Sequence, residues 1–141
     1  MQPIIRQEQH IDTGSPSIKL CIEGIRAEFE RRLDDARLLF GQAWETSRDD
    51  YEACIAAHYM ARYQTTPQDT LRWNLEALAR ANALTDERAH SFYPSLYVNL
   101  GHSYEILGDQ TQAKHYYQLA ADLGLVHQAG ESDSSSLPDA C

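Results

Sequence analysis

Basic residues are scarce in this 141-residue chain, where 12 Lys and Arg stand against 21 Asp and Glu and leave a formal charge of −9. Such a surface offers phosphates no basic face, which argues against a nucleic-acid partner. Long apolar runs are missing as well. No stretch approaches the ~20 consecutive apolar residues of a membrane-spanning helix, and mean hydropathy is −0.53. The opening MQPIIRQEQHIDTG holds neither an apolar signal core nor a small-residue cleavage site, so secretion is not expected. Cysteine is limited to Cys21, Cys54 and Cys141, an odd number without metal-ligand spacing, which suits a reducing cytoplasm. The length suits one domain able to bury a core without staples. The expectation left standing is an acidic, cytoplasmic domain.

Helix is the dominant signal. Apolar residues recur at three- and four-residue steps, as in Ala36, Leu39, Phe40, Ala43, Trp44 and in Leu71, Leu75, Leu78. Start signals recur too. Thr66-Pro67-Gln68-Asp69 places a capping hydroxyl, a first-turn Pro and an acid in order. Gly108-Asp109 can end one helix and cap the next, with Gln112 completing a capping-box-like pattern. Tyr93-Pro94 predicts a helix opening at Pro94, and the Thr85 hydroxyl is a candidate cap for the segment before it.

A longer period lies over these helices. In residues 94–127, PSLYVNLGHSYEILGDQTQAKHYYQLAADLGLVH, Tyr97 stands fourth, Leu100 and Gly101 seventh and eighth, and Tyr104 eleventh. Ala113, Tyr117 and Ala120 follow at the twentieth, twenty-fourth and twenty-seventh places. This segment resembles a tetratricopeptide repeat along its whole length. Residues 17–50 resemble it through Gly24 at the eighth place and Ala36, Phe40 and Ala43 at the later three. Residues 51–84 keep Ala57 and Ala77 but depart with His58 at the eighth, Ala61 at the eleventh and Asn74 at the twenty-fourth place.

The resemblance implies an all-α fold, a short right-handed superhelical stack of three tetratricopeptide-like helical hairpins spanning 17–127. Residues 85–93 form an insert that extends the fourth helix or adds a turn. Residues 1–16 are expected as an N-terminal arm, and the acidic, Ser-rich 128–141 as a disordered tail. Trp44 and Trp73 are expected to pack between repeats.

The same resemblance implies a concave strip on the first helix of each repeat. It would run through Ile18, Cys21, Ile25, Glu28 and Phe29, then Glu52, Ile55, Tyr59, Arg62 and Tyr63, then Ser95, Val98, His102, Glu105 and Ile106. Ile55, Tyr59, Arg62, Tyr63, Val98, His102 and Glu105 are the candidate groove for a partner peptide or helix, with Tyr59, Arg62, Tyr63 and His102 as anchors. The Lys and Asn pattern with which some family members grip a chaperone's C-terminus is absent.

Two other readings stay open. One is a structural homodimer with a self-filled groove, joined through Tyr116, Leu119, Leu123, Leu125 and Val126 of the last helix. The other is a small-molecule sensor or hydrolase using His58 and His102, which fall at neighbouring places in successive repeats. No catalytic or metal site is expected, since the six His include no helical pair at metal-ligand spacing and no Gly-rich phosphate loop occurs. Asn74 is the oddity: a buried amide needs partners, and nothing in the repeat pattern supplies them.

Overall fold

In the computed structural model, residues 14–124 are described; the tail 128–141, Leu125, Val126 and most of the expected arm lie outside them. The described residues form six α-helices and no strand: α1 (Pro16–Phe29), α2 (Leu33–Glu45), α3 (Asp50–Met60), α4 (Pro67–Ala83), α5 (Tyr93–Ile106) and α6 (Gln110–Asp122). Two 3-10 turns, Ala61–Tyr63 and Glu87–Ser91, follow α3 and α4.

Short polar side chains start most of these helices. Ser15 accepts a hydrogen bond from the Ile18 amide with Pro16 beside it, so the first helix begins inside the segment expected as an arm. Asp49 caps α3 through the Glu52 amide, Thr66 caps α4 through Asp69, and Asp109 caps α6 through Gln112. The 3-10 turn before α5 is capped by Asp86, accepting from the Arg88 amide, and not by Thr85. The carboxylate reaches into its short turn where the neighbouring hydroxyl does not. α5 itself opens at Tyr93, one residue before Pro94. The turn into α6 uses Gly108 at φ +85°, a conformation that costs a residue without Cβ little.

Helices pack mainly on their neighbours in sequence: α1 on α2, α3 on α4 and α5 on α6 make three hairpins, joined by α2–α3 and α4–α5 contacts. Small residues let the hairpins close. The helical Gly24 meets the ring of Phe40, and Gly101 meets the ring of Tyr117; an added β-carbon would stand 2.6 Å and 2.7 Å from those rings. Ala27, Ala36, Ala43, Ala57, Ala77, Ala81, Ala113 and Ala120 are buried at the other crossings. Phe40, Phe92, Leu96 and Leu100 fill the space between. Trp44 and Trp73 meet edge to face at 4.9 Å, bridging the first and second hairpins as expected.

α3 is the most enclosed helix, with every residue from Tyr51 to Tyr59 buried. Its carboxylate, Glu52, survives there because the Arg48 guanidinium sits 2.8 Å away and the Arg48 amide donates at 2.9 Å. Burial pushes the Glu52 pKa up, but the Arg48 hydrogen bonds outweigh it and hold the carboxyl below its usual range.

Candidate functional site

The enclosure of α3 decides which strip residues reach solvent. Ile55 and Tyr59 do not: they are 8% and 5% exposed and belong to the core. Tyr59 stacks on Phe40 at 4.8 Å, and the Arg62 guanidinium lies 4.7 Å over its ring. Tyr63 is half-buried against the same cluster and donates its hydroxyl hydrogen to Glu28 at 2.6 Å. These side chains join the first hairpin to the second, so the expectation of Tyr59 as a groove anchor and of Ile55 as a groove residue is corrected to a core role. Glu105 accepts from the Tyr117 hydroxyl at 2.8 Å, and Val98 is half-buried.

Arg62 and His102 do converge. They line a cavity of about 290 Å³ with His58, Thr70, Asn74, Ser95, Asn99, Ser103 and Ile106, from α3 and the turn after it, α4 and α5. A second cavity, about 260 Å³, continues it past Thr70, Ser103 and Ile106 to Gln64 and Pro67, so the two form one trough. No carboxylate lines either part among the described residues. That is notable in a chain carrying −9.

Two of the residues that line the trough each carry an unusual atom. His58 and Asn74 are each 4% exposed, yet His58 Nε2 and Asn74 Oδ1 have no hydrogen-bond partner among the described residues. A buried polar atom without a partner costs about 1–3 kcal/mol, so native chains hold few of them. Their other atoms are used. Asn74 Nδ2 donates to Ser103 Oγ at 2.9 Å, and Asn99 Nδ2 lies 3.4 Å from His58 Nδ1. An amide nitrogen only donates, so Nδ1 accepts and the ring proton sits on Nε2. Burial, with a lesser push from the Arg62 cation, lowers the His58 pKa to about 4, so the imidazole is neutral at physiological pH.

Arg62 stands at the rim. Its Nη1 donates to both Glu28 oxygens, at 2.9 and 3.0 Å, which fixes the guanidinium over Tyr59. His102 and Ile106 are exposed on the opposite rim.

The local cause of the cleft is visible in the repeat spacing. Gly24 plus 34 residues is His58, and Phe40 plus 34 is Asn74; a further 43 reaches Gly101 and Tyr117. In the outer hairpins a glycine receives an aromatic ring at this crossing, whereas the middle hairpin has an imidazole and an amide. Thr70 likewise stands where Ala36 and Ala113 are buried in the other two. Asn99 and Ser103, one turn apart on α5, were not among the strip positions; their polar faces on an apolar helix were the available signal.

The two cysteines among the described residues, Cys21 and Cys54, are quenched by burial. Desolvation raises Cys21, with Glu52 adding to it, and Cys54, each to about 12. Of the expected dimer residues, Tyr116 stacks on Tyr104 at 5.8 Å and Leu119 is half-buried, leaving Leu123 exposed. Larger exposure lies at the first hairpin, where Phe29 is 83% exposed.

No protein-family model matches the chain, and no curated protein or solved structure matches it.

Proposed function

We propose that this chain is a non-catalytic binding module of three tetratricopeptide-like hairpins whose trough between α3, α4 and α5 holds a segment of a partner protein. The observation that carries the reading is the pair of buried, unpartnered atoms on His58 and Asn74, at the one crossing where the glycine–aromatic repeat pattern fails. Departures from a consistent packing rule concentrate at functional positions. The elongated form of the trough, running from His58 past Ile106 to Pro67, suits an extended chain. Ser95 donates to the Phe92 carbonyl and Ser103 accepts from Asn74, so neither hydroxyl is paired with His58 as a nucleophile would be with its base.

The test is affinity capture with the full chain, compared with a His102→Ala plus Ile106→Ala rim variant and a Leu123→Ala control. A protein retained by wild type and control but lost from the rim variant, and photo-crosslinked from a probe at position 106, supports the proposal. Equal retention by all three, or crosslinks only from elsewhere, overturns it. A second reading, a pocket for a small molecule, is favoured by the enclosure of the floor around His58. It predicts a bound compound recoverable from the purified chain after denaturation.

A further inference from the structure

The two unpartnered atoms are complementary in kind. With Asn99 donating to His58 Nδ1, the Nε2–H is a hydrogen-bond donor; with Asn74 Nδ2 committed to Ser103, Asn74 Oδ1 is an acceptor. Both residues line the same cavity, neither is paired with the other, and Arg62 at the rim is the one Lys, Arg, Asp or Glu that lines that cavity among the described residues.

We infer that the floor of the trough receives a primary carboxamide, its carbonyl accepting from His58 Nε2–H and its N–H donating to Asn74 Oδ1. This rests on the trough being the binding site, and adds what it binds. Among carbonyl groups, amide geometry makes the choice. A primary carboxamide carries a C=O and an N–H side by side on one edge, so one group can answer a donor and an acceptor together. A trans peptide unit points its C=O and N–H in opposite directions and can answer only one of them. A carboxylate offers two acceptors and no donor, leaving its oxygen against Asn74 Oδ1. An aliphatic group would leave both floor atoms unpaired, at the cost any buried orphan carries. Ile106 at the rim and Ala61 in the wall give the alkyl stem of such a ligand an apolar path to the floor. The carboxamide has two sources, an Asn or Gln side chain of a protein segment or a free small amide, and their chemistry at the floor is the same.

The experiment is an amide-resolved NMR titration of the full chain at neutral pH with propionamide, propionate and N-methylpropionamide. The expected result is a saturable shift of the Asn74 and Asn99 side-chain amide signals with propionamide, at an affinity at least about tenfold above the other two probes. Asn74→Leu should abolish that response, while the Leu123→Ala control keeps it. Should Asn74→Leu fail to fold, the comparison of the three probes on the wild-type chain decides alone. Propionate or N-methylpropionamide shifting the same signals as strongly as propionamide would overturn the carboxamide assignment and leave the trough as a binding site. No shift with any probe would also overturn it, and the capture experiment with the rim variant would then judge the trough separately. Blocked tripeptides Gly-Gln-Gly and Gly-Glu-Gly separate the sources. Tighter binding of the Gln peptide than of propionamide, with the Glu peptide inert, assigns the carboxamide to a protein side chain. Propionamide binding with both peptides inert assigns it to a free amide.

Discussion

Asn74 and Ser103 are joined by one 2.9 Å hydrogen bond across the α4–α5 packing, and that bond uses only half of the asparagine. Its carbonyl oxygen is left buried and unpaired. Replacing Asn74 with Leu, of similar volume, removes the orphan oxygen together with the bond, and the Ser103 hydroxyl can turn to the carbonyl one turn back on its own helix. The expected change in unfolding free energy is within about 1 kcal/mol of zero, in either direction. Ser103→Ala should cost more, about 1–2 kcal/mol, because it strands the Asn74 amide hydrogens. Urea unfolding of the two variants checks the order; Asn74→Leu being the more costly one would show that the amide is a structural element.

His58 gives the same crossing a pH signature. Its pKa falls from 6.5 to about 4 on folding, so between those values the unfolded chain binds a proton that the folded chain refuses. Stability is therefore fully present above about pH 6.5 and declines as pH falls toward about 4. The decline amounts to about 3 kcal/mol at the lower end. His58→Gln should flatten the unfolding free energy across that window. An unchanged slope would mean that the ring is charged, or solvated, in the folded chain. Glu52 acts in the same direction at lower pH: its carboxyl is held down by Arg48, so its contribution fades as pH drops through the carboxylate range.

Much of the framework was legible in the residues. Thr66, Asp109 and Gly108 announce their helix ends because capping chemistry is local, and Trp44 against Trp73 follows from the repeat spacing. The exposed strip was not legible. Its positions describe which side of a helix is concave, but exposure depends on what neighbouring helices lay over it. Phe40 and Arg62 both cover Tyr59, one from the preceding hairpin and one from the next turn. The cleft itself was half legible: His58 and Asn74 stood out as misfits in the 34-residue pattern, whereas Asn99 and Ser103 answer them only across the gap between hairpins.

The glycine–aromatic crossings predict a contrast between two neighbouring sites. Gly24→Ala should gain about 1 kcal/mol of helix propensity. It should lose about 1–3 kcal/mol more by driving a β-carbon to within 2.6 Å of Phe40. Gly41→Ala, also helical but with nothing within 4 Å of its added carbon, should stabilise by about 0.5–1 kcal/mol. Thermal unfolding of both variants, with Gly24→Ala/Phe40→Leu as the relief of the clash, tests the account. A stabilised Gly24→Ala would show that the first hairpin has slack at that crossing.

Glu28 ties the rim of the trough to the first hairpin. It receives Arg62 at 2.9 and 3.0 Å and the Tyr63 hydroxyl at 2.6 Å, and the ion pair is partly screened, with the two side chains 35% and 19% exposed. Burial and the Glu28 hydrogen bond both raise the Tyr63 pKa, so the phenol stays protonated and keeps donating. A double-mutant cycle of Glu28→Gln with Arg62→Gln should give a coupling of about 0.5–1 kcal/mol that shrinks as salt is added. Tyr63→Phe in the Glu28→Gln background should cost little further, since its acceptor is already weakened. A coupling near zero at low salt would mean that Tyr59 alone holds Arg62 at the rim, through the contact between its ring and the guanidinium.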